Sequence, residues 1–346
     1  MQSQTLYKVI IQGKLELGSE KTMNQVLDQL SARMDTHYKR ELIFKLPELI
    51  FKQEDYTVDL GRFIGNVSEK YWKNTISFIE YCAGFSSAGT VDAWMTDTGK
   101  ILQHYHIEPK GEKSCIMLYQ SGKKASEQKG SEQEAIRILT EAIEKYERHS
   151  QAYTQRGYVN FTLKNYDDAL YDFRKAISFD QLNSSAHYGV ARSLMIKNKF
   201  ADAILSLEET TKSSIALQSI YWSARRSKGF CHLELKEYDK AINEFRLVTN
   251  REFKKEDSNY KHLPMVWFNY GKAFFATGQL DLALDAFDRS VSFEDSKSFE
   301  SKAELFMHRG LARKAAGKPD FIIDIKKASE LGNEDAIRLL SELHMS

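Results

Sequence analysis

An alanine recurs through the middle of this chain at nearly constant intervals, and no other feature restricts the possible folds as strongly. Ala135, Ala169 and Ala203 are 34 residues apart, and Ala241 and Ala283 follow after 38 and 42 residues. A large apolar residue stands four positions beyond each alanine, and a small or β-branched residue stands seven beyond. Because these spacings return to one face of an α-helix, each interval predicts a helix with a single apolar stripe.

A second helix is predicted upstream of each alanine. Twelve positions before it stands a small residue, namely Gly157, Ala191, Gly229 or Gly271, with Lys123 at this position in the weaker first interval. A glycine inside a helix costs about 1 kcal/mol relative to alanine. Its repetition at one register therefore indicates that another helix packs closely against it. An aromatic or aliphatic residue marks the turn between the two helices: Tyr166, Phe200, Tyr238 and Leu280.

These positions resemble the tetratricopeptide repeat family over about Ser114 to Leu331. Four units are well formed: Ser150–Asn183, Ser184–Leu217, Trp222–Arg251 and Pro264–Ser296. Two units are weaker, since Glu132 replaces the turn aromatic in the first and Phe321 replaces the small residue in the last. The resemblance implies an α-helical solenoid of about six helix hairpins, wound as a right-handed superhelix with a concave inner surface.

The ends and interruptions of the array are also predicted. Asn333–His344 has apolar residues separated by charges, which is typical of a helix that caps a solenoid. The two longer alanine spacings place insertions near Thr211–Ser219 and Arg251–Leu263. These insertions are expected to be longer helices or binding loops.

Residues 1–112 have a different pattern and are predicted to form a separate small α/β sandwich of no recognised family, ahead of the repeat domain at 113–346. Alternating apolar residues predict a strand, and 3.6-residue periodicity predicts helices. Leu42–Phe51 is apolar but contains Pro47, so a strand pair or an edge strand is expected there. The other predicted elements are a strand at Tyr7–Leu17, helices at Lys21–Tyr38 and Ser68–Phe85, and a hairpin of Thr90–Thr96 with Lys100–Ile107. The helices are expected on one face of the sheet.

Composition argues against several classes of protein. The 49 basic and 48 acidic side chains nearly cancel, which disfavours nucleic-acid or membrane binding through bulk charge. No segment approaches the roughly 18 consecutive apolar residues that a membrane span needs. Three scattered cysteines suggest neither a disulfide framework nor a zinc motif. With no signal peptide at the N-terminus, we predict a cytoplasmic protein.

No catalytic or cofactor motif is found in the sequence. His104 and His106 point the same way on a predicted strand, but a third metal ligand is not evident, so solvated histidines are favoured over a metal site. Ser86, Ser87 and Gly89 lack any phosphate-loop pattern and are expected to form a plain connector. We therefore predict a protein that is not an enzyme and binds no metal or cofactor.

The resemblance implies a binding groove lined by the first helix of each unit. Its predicted residues are Thr154, Tyr158, Tyr188, Arg192, Arg226, Phe230, Phe268 and Lys272. Aromatic and arginine side chains dominate protein-binding hot spots, and arginine suits carboxylates. The expected ligand is a peptide or helix of a protein partner, acidic or aromatic in character. The alternative is that the aromatics pack against neighbouring helices and the arginines are only solvated.

Some tetratricopeptide proteins clamp the terminal carboxylate of heat-shock chaperones with Lys, Asn and Arg side chains. The matching register here offers Thr154, Tyr158, Gly189, Ser223 and Ser227, so that function is disfavoured. The favoured function is a non-catalytic protein-interaction scaffold. Two alternatives remain: an N-terminal domain that is a ligand-binding or catalytic module targeted by the repeats, and a packing role inside a larger assembly.

Overall fold

The computed structural model describes residues 5–293 and 302–345. The chain forms two compact units, residues 1–189 and 190–346. The N-terminal sheet and the first repeats thus belong to one unit, while the predicted boundary at residue 112 stays a prediction. The end of the predicted unit Pro264–Ser296, residues 294–296, lies outside the described residues.

The N-terminal part is a five-stranded antiparallel sheet with strand order β2-β3-β1-β4-β5. Its elements in chain order are β1 (Leu6–Glu16), α1 (Glu20–Thr36), β2 (Phe51–Lys52), β3 (Thr57–Ser68), α2 (Glu69–Ala83), β4 (Ala88–Asp97) and β5 (Lys100–Ile107). The predicted small α/β domain and its β4–β5 hairpin are confirmed.

One face of this sheet is covered by the two helices. Val9 and Ile11 of β1 are fully buried in a cluster with Val26 of α1 and Trp72 and Ile79 of α2. Ser19 starts α1, because its hydroxyl accepts a hydrogen bond from the Thr22 N–H at 3.2 Å. The alternation of β1 and the helical periodicity therefore place their apolar residues in one core.

The prediction for Leu42–Phe51 was wrong in part, and the long strand β3 was missed. Pro47 begins a 3₁₀ turn, Pro47–Ile50, and only Phe51 and Lys52 pair as a strand. Proline has no N–H for a ladder, which favours the turn. β3 lacks clean alternation because its pairing with β1 shifts between Gln12 and Lys14, opposite Gly61 at φ +53°.

Thirteen further helices follow within the described residues. They are α3 (Lys113–Ser126), α4 (Glu132–Lys145), α5 (Ser150–Thr162), α6 (Tyr166–Phe179), α7 (Ser184–Ile196), α8 (Phe200–Ser213), α9 (Ser219–Glu234), α10 (Tyr238–Thr249), α11 (Leu263–Ala276), α12 (Leu280–Val291), α13 (Lys302–Ala315), α14 (Phe321–Glu330) and α15 (Glu334–Met345). In the first unit α3 packs with α4 and α5 with α6; in the second, α9 packs with α10, α11 with α12 and α13 with α14. The predicted fold, about six hairpins and a closing helix, is confirmed.

Five of the hairpins close where a glycine of the first helix meets a large side chain of the second. A Cβ atom added to Gly157 would lie 2.8 Å from the Phe173 ring, and one on Gly229 would lie 2.6 Å from the Phe245 ring. In the first hairpin the contact residue is Gly122, against Leu139, and not the neighbouring Lys123 of the predicted register. Close approach of the helices therefore depends on the missing side chain.

A buried ion pair ties the same helices together in three hairpins. Arg156 binds Asp172 through two nitrogens, at 2.7 and 3.0 Å, and Arg309 binds Asp324 in the same way. Glu244 of α10 accepts from Arg225 of α9 at 2.9 Å. Each carboxylate stands immediately before the large apolar residue of its second helix. The two helices of these hairpins are therefore held in register by an ion pair as well as by apolar contacts.

The second insertion is held in place by its own hydrogen bonds. Asn259 is 3 % exposed, donates to the Ser219 carbonyl at 3.0 Å and accepts from the Ser223 hydroxyl at 3.0 Å. Phe253 packs edge-to-face on Trp222, with ring centroids 5.8 Å apart. This segment is therefore anchored on α9.

The sheet contacts the first two hairpins through a polar junction on β1. The Lys14 ammonium donates to the carbonyl of Phe179, at the end of α6, at 3.0 Å. The Tyr146 hydroxyl, just after α4, donates to Glu16 at 2.8 Å, and Arg148 lies 3.8 Å from the same carboxylate. Burial raises the pKa of Glu16 even though Lys14 lies 3.4 Å away. Charged groups are thus desolvated where the sheet meets the repeats.

We expect Gly229→Val to lower the free energy of unfolding by about 1–3 kcal/mol, because the added side chain collides with Phe245. The measurement is urea unfolding followed by circular dichroism. Glu234→Val is the control, since Glu234 is exposed on the same helix. Equal effects of the two substitutions would contradict the close packing of α9 on α10.

A second prediction concerns the polar junction. Lys14→Met leaves the buried Glu16 without its nearest cation and the Phe179 carbonyl without this donor, so we expect a loss of about 1–3 kcal/mol. Lys8→Met is the matched control, because Lys8 lies exposed on the same strand. If thermal unfolding shows both variants equally stable, the junction contributes nothing.

Candidate functional site

The eight predicted groove residues all lie on the first helix of a hairpin. Thr154 and Tyr158 are on α5, Tyr188 and Arg192 on α7, Arg226 and Phe230 on α9, and Phe268 and Lys272 on α11. Thr154, Tyr158 and Tyr188 belong to the first unit, and the other five to the second. None of the eight is fully exposed.

In the first unit, two predicted groove residues hold neighbouring helices together. Thr154 is 7 % exposed; its hydroxyl donates to the Ser150 carbonyl and accepts from the Asn183 amide, both at 2.9 Å. The Tyr158 hydroxyl donates to the Ser185 carbonyl at 2.7 Å, and its ring packs edge-to-face on Phe173. Thr154 therefore offers little surface to a partner, whereas Tyr158 and Tyr188 are half-buried.

In the second unit, one aromatic is buried and the cations keep accessible surface. Phe268 is 4 % exposed, with ring centroids 6.1 Å from Phe287 and 5.5 Å from His308. Phe230 is half-buried and contacts Phe200 edge-to-face. Arg192, Arg226 and Lys272 are half-buried as well.

Two histidines that the sequence reasoning missed lie beside these cations. Burial, with a smaller contribution from Arg226, lowers the pKa of His262 to about 4. Burial, followed by Lys272, lowers the pKa of His308 to about 4. Both imidazoles are therefore neutral near pH 7, and a nearby anion would raise their pKa values. Each histidine stands 36 residues after its cation, which is close to one repeat length, but that spacing does not encode the burial that lowers the pKa.

The face of the sheet opposite its two helices carries a histidine pair. His106 and His104 share one oxygen of Asp92, at 2.9 and 3.2 Å. The Trp94 ring stacks on His104, with centroids 5.1 Å apart and planes inclined by 4°. Within residues 5–293 and 302–345, no group of three or more His, Cys, Asp or Glu side chains is arranged to hold a metal ion. The predicted same-side orientation of the two histidines agrees with their common partner.

The hydrogen bond to Asp92 raises the pKa of His106, with burial acting in the opposite direction and Glu108 adding to the rise. A raised pKa gives stability that is present below the ordinary histidine pKa and lost as the pH rises through the folded-state value.

We expect Asp92→Asn to lower the pKa of His106, measured by NMR titration of the imidazole. The substitution should cost more stability at about pH 5.5 than at about pH 8.5, because only the protonated ring gains from the carboxylate. Asp97→Asn, at the hairpin turn, is the control. A His106 pKa that does not move in Asp92→Asn would refute this assignment.

The Ser86, Ser87 and Gly89 segment has structural contacts. The Ser86 hydroxyl donates to the Cys82 carbonyl at 2.9 Å, and the Ser87 N–H donates to the Glu16 carbonyl at 2.8 Å. Gly89 has φ +94°, and a Cβ atom there would lie 2.2 Å from the Lys14 carbonyl oxygen. These residues let β4 approach β1 closely.

The helices described are all too short or too polar to cross a membrane. The three cysteines, Cys82, Cys115 and Cys231, are free and buried. Burial raises the pKa of the Cys82 and Cys231 thiols to about 12, which makes them poor nucleophiles.

Comparison with known proteins agrees with this architecture. Residues 128–187, which include α4, α5 and α6, match the family model of the tetratricopeptide repeat. No curated protein matches the sequence at a significant level. The match identifies the class of repeat in that segment.

Solved structures extend the likeness at the level of fold. The structure from a functional study of Pseudomonas aeruginosa pilF is 15 % identical, covers 66 % of this chain and 100 % of its own, and superposes with a TM-score of 0.55. PilW, a widely conserved type IV pilus biogenesis factor, is 15 % identical with the same coverages and a TM-score of 0.50. YrrB, a tetratricopeptide protein with an unusual peptide-binding site, is 16 % identical over 59 % of this chain and 97 % of its own, with a TM-score of 0.48. With the family-model match at residues 128–187 and its helix hairpins, the repeat part has the tetratricopeptide fold, a fold that generally serves protein–protein interaction.

Proposed function

We propose that this protein is a non-catalytic scaffold whose repeat helices bind a peptide or helix of a protein partner, acidic or aromatic in character. The observation that carries the proposal is the set of half-buried cations on successive first helices, Arg192, Arg226 and Lys272. Partly desolvated cations bind carboxylates more strongly than fully hydrated ones.

The neutral histidines support the same ligand. Burial is the main cause of the lowered pKa values of His262 and His308, so neither histidine adds positive charge near pH 7; Arg226 and Lys272 add to the lowering, which places each cation near its histidine. An anionic side chain placed there would be attracted to the cation and would favour protonation of the histidine. Aromatic rings beside the cations, among them Phe230, supply apolar contact area.

The cellular location that we propose is the cytoplasm. Its support is the set of three free, buried thiols, which suit a reducing compartment.

We expect Arg226→Gln/Lys272→Gln to weaken binding of an acidic partner peptide by about a hundredfold or more, because each of the two lost charged hydrogen bonds is worth about 1.5–3 kcal/mol. Fluorescence anisotropy with the full chain and a panel of labelled Glu-rich, aromatic and Lys-rich peptides is the measurement. The control is Lys255→Gln/Lys326→Gln, which removes the same charge from exposed positions.

NMR gives a second readout of the same site. A bound carboxylate should raise the pKa values of His262 and His308, since it offsets the nearby cations. The proposal fails if no peptide of the panel binds, or if the two double variants bind equally and both histidines keep their pKa values.

A further inference from the structure

The two edges of the N-terminal sheet differ in what they offer to another chain. At one edge, the described part of β2 pairs with only Thr57 and Val58 of β3, so the rest of β3 forms that edge, with mostly half-buried side chains. At the other edge, β5 runs for eight residues, Lys100–Ile107. Alternate N–H and C=O groups of a terminal strand face away from its sheet, so β5 presents a row of hydrogen-bonding groups.

This row is accessible. Every residue of β5 before Ile107 is exposed, except the half-buried Gln103, whose side chain accepts from the Trp72 indole N–H at 2.7 Å. Large apolar side chains are among the exposed ones: Ile101 is 48 % exposed, Leu102 50 % and Tyr105 36 %. An exposed terminal strand with apolar side chains is a template for pairing with a further strand.

The charges of β5 indicate what would pair with it. Its ionisable groups other than Tyr105 are Lys100, His104 and His106, and it contains no carboxylate. The two imidazoles are alternate residues, so they stand about 7 Å apart on one face, the spacing of alternate side chains in any neighbouring strand. Each uses one nitrogen on Asp92, and Nε2 of His106 lies 3.8 Å from the half-exposed Glu108 carboxylate, so a partner carboxylate would compete with Glu108 at that position.

The opposite face of β5 carries Gln103, Tyr105 and the buried Ile107. Tyr105 packs against the Trp72 ring with centroids 6.0 Å apart, and its exposed part adjoins the edge. A strand placed beside β5 therefore meets imidazoles on one face and an aromatic ring on the other.

We propose that β5 binds an extended segment of a partner protein as a sixth strand of the sheet. The segment carries carboxylates at alternate positions facing His104 and His106, and apolar residues on the other face. Main-chain hydrogen bonds provide affinity, and the alternating side chains provide specificity.

A second copy of this chain fits the edge less well. Antiparallel pairing of β5 with itself would bring together strands whose charged side chains are all basic, without a carboxylate from either strand. Like charges on paired strands are destabilising. The occupant is therefore a different, acidic segment.

The test uses the full chain labelled with ¹⁵N, in the Arg226→Gln/Lys272→Gln background so that groove binding is suppressed. The probe is an acetylated ten-residue peptide of alternating Glu and Val. We expect chemical-shift changes and slower amide exchange along β5. The same peptide with Lys in place of Glu should not bind.

Two peptides N-methylated on alternate residues test strand addition itself. One is methylated at every Glu and the other at every Val. Only the amides on one side of an added strand bond to β5, so one of these peptides should bind as the parent does and the other should not. Equal binding by both, or no protection of β5, would overturn the proposal.

Substitution of the histidines tests the assigned charge complementarity. His104→Gln/His106→Gln should weaken binding of the Glu peptide by about two- to thirtyfold, since two exposed charge pairs are worth about 0.2–1 kcal/mol each. Lys45→Gln/Lys52→Gln, near the other edge, is the matched control and should bind as the parent does. If the chain self-associates as its concentration rises, and Leu102→Pro abolishes this association, the edge binds a second copy of the chain. That result would refute an acidic partner.

Discussion

The packing of the repeat helices depends on close contact between a glycine of one helix and a large aromatic or aliphatic side chain of the next. Gly157, Gly229 and Gly271 each place their Cα against the phenylalanine of the following helix, and Gly122 does so against Leu139. A single hairpin leaves its outer faces apolar, so it is stable only when neighbours cover them. The buried Arg–carboxylate pairs add register, because a sliding helix would leave both charges desolvated and unpaired.

The sequence predicted those features that repeat. The alanine spacing predicted five hairpins because every unit repeats the same packing problem, and the apolar pattern after them predicted a sixth hairpin and a closing helix. In the first hairpin the register pointed to Lys123, whereas the residue at the helix contact is the neighbouring Gly122. That unit has few other matching positions to fix the register. The strand β3 was missed because a bulge opposite Gly61 breaks the alternation on which strand prediction depends.

The site was less predictable than the fold. The repeat register shows which positions of a helix face the groove. How far each side chain is buried depends on its partners elsewhere in the chain. Thr154 is covered because Asn183 bonds to its hydroxyl, and Phe268 because His308 and Phe287 pack on it. The electrostatic role of His262 and His308 depends on burial, which a periodic pattern does not encode for a single histidine.

The junction between β1 and the first hairpins affects how these parts can be inherited. Lys14 donates to a carbonyl at the end of α6, and Glu16 accepts from the Tyr146 hydroxyl, so hydrogen bonds join the two sides. A recombination event that moved the repeats without the sheet would remove these partners and expose the groups that the sheet now covers. The sheet and the first two hairpins would therefore be exchanged between genes as one cassette, while later hairpins could be gained or lost one at a time.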